Sequence, residues 1–161
     1  MIVDSEHFYA VLKQLKNFST ACIDVETDGL EPYAGNSIFG IGVGVAVDRV
    51  IYFPFRHKSV NANNLSEQNL RELIDVLNKF TTLIGYNIKF DLHMLIKEGL
   101  YPWNKKLIDV LVGMRILSTE PHPKLSLSDC IDRIFGPGSS DYDKETKINL
   151  RKNKWHNDYS L

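Results

Sequence analysis

Cysteine is scarce: Cys22 and Cys130 are the only two in 161 residues, far apart and in no CxxC arrangement. That disfavours both a disulfide framework and a thiolate zinc site and fits a reducing interior. A strong charge of either sign is also lacking. Nineteen Lys and Arg face twenty Asp and Glu, for a net charge of -1, so the chain has no cationic coat of the kind that covers duplex nucleic acid. Any nucleic-acid site must be local or metal-assisted. Long hydrophobic runs are missing too. The longest, residues 39–47, is diluted by glycine and too short for a bilayer, and the first six residues carry acids where a secretory leader needs Lys or Arg. We therefore expect a soluble, cytoplasmic chain. No repeat or low-complexity tract occurs, while 43% hydrophobic and 24% charged residues predict a packed core in one ordinary domain.

The hydrophobic period changes from segment to segment. Phe8, Val11, Leu12 and Leu15 predict a short amphipathic helix; Ala21, Ile23 and Val25, alternating with Cys22, Asp24 and Glu26, predict a strand over 20–26. Residues 38–47, with Gly40, Gly42 and Gly44 between apolar residues, and 50–55 predict two strands joined as a hairpin at Asp48 and Arg49. The glycines lack the strand, GxGxxG turn and helix order of a dinucleotide loop and read as close-packed strand glycines. A helix with Leu70, Leu73, Ile74 and Leu77 on one stripe, a buried strand over 81–86 and a helix over 88–98 follow, the last with Asn87 as N-cap and Gly99 as its C′ residue. Helices over 108–117 and 127–135 end at the Pro121-His122-Pro123 and Gly136-Pro137-Gly138 clusters. Residues 139–161 form a polar tail. Lys144, Lys147, Arg151, Lys152 and Lys154 make it locally basic, a solvated segment by default. The order of elements describes an α/β sheet with a mixed first half.

Chemistry concentrates in Ile23-Asp24-Val25-Glu26-Thr27-Asp28-Gly29-Leu30. Carboxylates two residues apart on a strand share a face about 7 Å apart. Such like charges repel unless one takes a proton or a divalent cation lies between them, and hard oxygen ligands select Mg2+ or Mn2+ over zinc. Asp91 follows Glu26 by 65 residues in Gly85-Tyr86-Asn87-Ile88-Lys89-Phe90-Asp91, at a second strand-to-helix junction, where Asn87 and Asp91 are spaced i, i+4. Either stretch alone also fits a solvated turn or an ordinary helix cap.

Together the two stretches resemble the first two motifs of the DEDD superfamily of 3′-5′ exonucleases: Asp24, Glu26 and Thr27 in the first, Asn87, Phe90 and Asp91 in the second. The run from Gly85 to Leu95, followed by Asp109-Val110-Leu111 through Leu127, is similar to the proofreading domain of family A (DNA polymerase I-like) enzymes over residues 20–135. The resemblance implies a ribonuclease H-like fold, a mixed five-stranded sheet flanked by helices, spanning 1–161. It implies a two-metal site (Mg2+ or Mn2+) held by Asp24, Glu26 and Asp91. It also implies that Leu30 wedges against terminal bases, that Thr27 contacts the terminal nucleotide, and that Asn87 and Phe90 line the substrate pocket. The implied substrate is the 3′ end of single-stranded DNA. The implied partner is a DNA polymerase domain, downstream in the same chain or in a separate subunit.

The third motif of that superfamily, Tyr-x-x-x-Asp or His-x-x-x-x-Asp, is absent from residues 109–161: Thr146 lies four after Tyr142, Leu127 five after His122 and Leu161 five after His156. The expectation is a chain cut before its catalytic domain is complete, with weak or absent hydrolysis by itself. Asp109 reads as a structural position and His93 as a packed or surface histidine, because a two-metal scheme needs no imidazole. Two rivals stay open, an RNA-trimming exonuclease of the ribonuclease D type and a non-catalytic module that holds single strands.

Overall fold

A computed structural model describes residues 1–58, 62–142, 144, 145 and 148. Helix α1 (Phe8–Leu15) leads into strand β1 (Thr20–Thr27), the hairpin β2 (Ile38–Ala46) and β3 (Arg49–Pro54), and helix α2 (Glu67–Leu77). Strand β4 (Thr82–Gly85), helix α3 (Ile88–Lys97), strand β5 (Lys106–Asp109) and helices α4 (Val110–Leu117) and α5 (Leu127–Phe135) follow. The strands form one sheet in the order β3-β2-β1-β4-β5. Its first three members run antiparallel, while β4 pairs parallel with both β1 and β5. This is the expected mixed five-stranded sheet flanked by helices.

The fifth strand corrects the reading of 108–117 as one helix. Lys106–Asp109 pairs with Thr82–Gly85 residue for residue, and the helix begins only at Val110. Four residues carry too little period to reveal a strand, and pairing with β4 decides the matter. Asp109 makes the junction: its Oδ1 accepts from Leu111 N at 2.9 Å, capping α4, and from Asn87 N at 3.0 Å, tying down the entrance of α3. The structural role expected of it is thus the one it has.

Apolar faces of α1, α2 and α3 share one core with the inward residues of β1 to β4, including Phe8, Leu15, Ile23, Ile41, Phe53, Leu73, Leu83 and Leu95, each at most 2% exposed. Ser66 caps α2 in a reciprocal pairing with Asn69. Arg56, beyond β3, bonds Glu67 of α2, Glu98 at the end of α3 and the carbonyl of Ile38, so the hairpin and both helices are fastened together. Helix α4, by contrast, buries no residue, and Val112, Ile116 and Leu117 face solvent. Cys22 and Cys130 are free thiols. Among the described residues no helix is long and apolar enough to cross a membrane. Of the predicted polar tail, 143, 146, 147 and 149–161 lie outside the described residues. Lys144 there pairs with Asp132 of α5.

Candidate functional site

Strand β1 outruns its parallel neighbour. Pairing with β4 stops at Cys22 and Ile84, whereas pairing with β2 continues to Thr27. The first turn of α3 fills the gap. Asp91 Oδ1 accepts a hydrogen bond at 2.9 Å from the backbone N of Val25, the residue between Asp24 and Glu26. This close approach needs Gly85, because a Cβ there would stand 2.9 Å from Ile88 Cβ and 3.3 Å from the Ile23 carbonyl oxygen. The chain turns from β4 into α3 through Asn87, whose φ of 56° is left-handed, a conformation asparagine tolerates better than most residues. Asn87 occupies the expected N-cap position but makes no side-chain cap, a correction that follows from this backbone conformation. It therefore departs from the helical face on which Asp91 lies.

The three predicted carboxylates thus come from two elements that meet at the carboxyl end of β1. Asp24 keeps a solvent-facing edge, Glu26 is half-buried and Asp91 is 4% exposed. Burial raises the Asp24 carboxyl above its ordinary value. Burial, then the charge of Asp24, pushes Glu26 up to about 7. Asp91 also rises to about 7, through burial opposed by the Val25 hydrogen bond and reinforced by the charge of Asp24. No basic side chain forms an ion pair with any of the three among the described residues. Negative charge is therefore gathered in a recess without a protein counter-charge, and the donors are all hard oxygens. This donor set suits a hard divalent cation. As the side chains stand, no three His, Cys, Asp or Glu among the described residues close around one ion. A bulge between Glu26 and Thr27 ends the regular ladder beside the carboxylates.

Two hollows flank them. One, about 640 Å³, opens over the outer face of the sheet, with Asp24, Glu26, Gly42, Tyr52 and Ile84 in its lining. The other, about 320 Å³, lies between the loop after β1 and α3 and gathers Leu30, Tyr33, Asn87, Lys89, Phe90 and His93. Three of the four predicted substrate residues, Leu30, Asn87 and Phe90, meet there. Thr27 does not line it, and its hydroxyl donates to the Gly29 carbonyl at 2.8 Å. Leu30 is 77% exposed, an apolar side chain held out in water. Tyr33 and Lys89 escaped the sequence reading, which had no local signal for them. His93 is half-buried and its Nδ1 lies 3.1 Å from the Tyr33 hydroxyl, a packed role as expected. Of the three strand glycines only Gly40 is tightly packed, under Tyr52, while Gly42 and Gly44 have ordinary room.

The chain is 31% identical over 88 residues to the DNA polymerase DpoZ of Salmonella phage PMBT28, a match that covers 55% of the chain and 13% of that protein. It is similar in structure to the EXO domain of Nibbler from Aedes aegypti, with a TM-score of 0.60 at 17% identity over 84% of this chain and 67% of that one. It is also similar to RNase D of Escherichia coli, described as an exoribonuclease involved in structured RNA processing, with a TM-score of 0.58 at 10% identity over 84% of this chain and 33% of that one. A family profile described as RNase_H superfamily matches residues 21–146, which takes in both carboxylate-bearing stretches, so the chain belongs to the RNase_H superfamily.

Proposed function

We propose that this is a DEDD-type 3′-5′ exonuclease domain that removes nucleotides from the 3′ end of single-stranded DNA, as the proofreading part of a DNA polymerase. The observation that carries the reading is the hydrogen bond that Val25 N donates to Asp91, which brings the α3 carboxylate to the strand segment bearing Asp24 and Glu26. The phage polymerase relative supports DNA and a polymerase partner.

Asp24, Glu26 and Asp91 would hold two divalent cations, Mg2+ or Mn2+, whose chemistry when bound would be to activate a water and offset charge on the departing 3′ oxygen. The chain's own residues do the rest. Asp24 and Glu26 present oxygens on one face of β1, and Val25 N fixes the orientation of Asp91. The cleft beside α3 takes the terminal nucleotide: Phe90 and Leu30 offer apolar surface to its base, and Lys89, exposed at the rim, offers a cation to the phosphate backbone. A frayed end, whose last base is unpaired, can stack on that apolar surface, which favours single strands. With neither third-motif pattern in residues 109–161, hydrolysis by this chain alone should be slow or absent.

Retention of 5′-labelled oligonucleotides tests this. A single-stranded DNA with a free 3′ hydroxyl should bind in Mn2+, and binding should be lost with a chelator or with Asp24→Ala. Binding indifferent to both would make the protein a non-catalytic holder of single strands. A clear preference for the 2′-hydroxyl strand would move the assignment to the ribonuclease D type.

A further inference from the structure

On the outer face of the sheet, Tyr52 of β3 pairs with Gly42 of β2, and Gly42 with Asp24 of β1, so all three share the face that carries Glu26. The Tyr52 ring leans diagonally across Gly40. A Cβ on Gly40 would lie 1.8 Å from the Tyr52 hydroxyl, so that oxygen occupies the space a residue 40 side chain would fill. Gly40 is also the direct cross-strand partner of Glu26. Paired residues of this kind have Cβ atoms about 4.5–5.5 Å apart. The phenol oxygen therefore lies over the residue paired with Glu26, and Tyr52 and Glu26 line the same hollow.

The tyrosine is held there from behind. Its hydroxyl lies 2.9 Å from Nε2 of His57, which is 7% exposed. His57 is fixed by its backbone N–H to Asn64 Oδ1 at 2.9 Å, by Asn64 Nδ2 to its carbonyl at 2.8 Å, and by ring contact with Phe39. The Tyr52 backbone is bonded to the N-terminal segment as well, donating to the Met1 carbonyl and accepting from Val3 N. Asp91 has the Val25 N–H as a partner, whereas the Glu26 carboxylate has no hydrogen bond within the described residues. Metal-binding carboxylates are held in turn by outer hydrogen-bond donors.

We infer that Tyr52, braced by His57 and admitted by Gly40, is a positioning residue that orients the Glu26 carboxylate when a divalent cation binds. This rests on the metal-dependent reading above. The sequence masks it, because Tyr52 and His57 belong to neither carboxylate stretch.

The test is Mn2+ titration of the whole chain, read by water-proton relaxation, with thermal unfolding run beside it. Tyr52→Phe keeps the ring and removes the hydroxyl, and should weaken Mn2+ binding about tenfold. Gly40→Ala keeps the hydroxyl but displaces it and should give a similar loss; it decides the matter if Tyr52→Phe does not fold. In a Glu26→Asp background, whose shorter side chain withdraws the carboxylate from the phenol, Tyr52→Phe should add no further loss. Unchanged affinity in both single variants, or a loss that simply adds to that of Glu26→Asp, overturns the inference and leaves the metal site standing. Wild-type protein that binds no Mn2+, or binds it equally well with Asp24→Asn, overturns the site and this inference together.

Discussion

Along β1, the residues that join the helix-covered core, Ala21, Ile23 and Val25, are at most 7% exposed, whereas Cys22, Asp24 and Glu26 on the opposite face are reached by solvent. One strand of eight residues thus divides its labour by parity. The inner face supplies burial energy, and the outer face carries Asp24 and Glu26, whose repulsion, together with that of Asp91 brought up at the strand's edge, the core must withstand. The comparison teaches that stability and chemistry are separable here at adjacent positions.

Substitution on each face should split accordingly. Ile23→Ala opens a cavity in the core and should cost about 2–5 kcal/mol in urea unfolding, while Asp24→Ala should leave the metal-free fold within about 0.5 kcal/mol of wild type. Equal costs would break the division. Glycines sharpen it at smaller scale. Gly85→Ala drives a methyl against Ile88 and the Ile23 carbonyl and should cost about 1–3 kcal/mol. Gly42→Ala places the same methyl on the outer face at 3.6 Å from the Asp24 carbonyl, an ordinary contact, and should be neutral or slightly stabilising. A destabilised Gly42→Ala would mean the outer face is as closely filled as the inner one.

The parity of β1, the hairpin and the boundaries of α3 were legible because their signals are local: alternation, glycine dilution, and Gly99 with its φ of 105° at the helix end. What escaped was tertiary. Lys106–Asp109 is a strand through its pairing with β4. Asn87 reads as a cap from its type, yet the turn that brings Asp91 against β1 forces it into the left-handed region. The acids themselves could be picked from spacing, but the Asp91 bond to Val25 N depends on where β4 stops, which no local pattern encodes. Tyr52 can lean over Gly40, the cross-strand partner of Glu26, only because that position carries no side chain. Helix α4 shows the converse: its apolar period and its Asp109 cap specify a helix correctly, although nothing among the described residues covers it.

The remaining effect is the one that ties the two faces together. With no cation bound, Glu26 and Asp91 hold protons up to about pH 7 in the fold, while in the unfolded chain both titrate near the ordinary carboxylate range of about 4. Between those values the native state binds more protons than the unfolded one, so their contribution to stability is complete below about pH 4 and is lost as pH rises through 7. Metal-free protein should therefore unfold more easily, with a lower Tm, at pH 8 than at pH 5. Asp91→Asn keeps the oxygen that accepts from Val25 N and removes the buried charge. It should recover part of that loss at pH 8 and change little at pH 5. Mn2+ should stabilise wild type at pH 8 far more than at pH 5, and should do little for the variant. Thermal melts of the two proteins at both pH values, with and without Mn2+, measure all of this. A wild-type Tm that rises with pH in the absence of metal would mean that the outer face places no electrostatic load on the core.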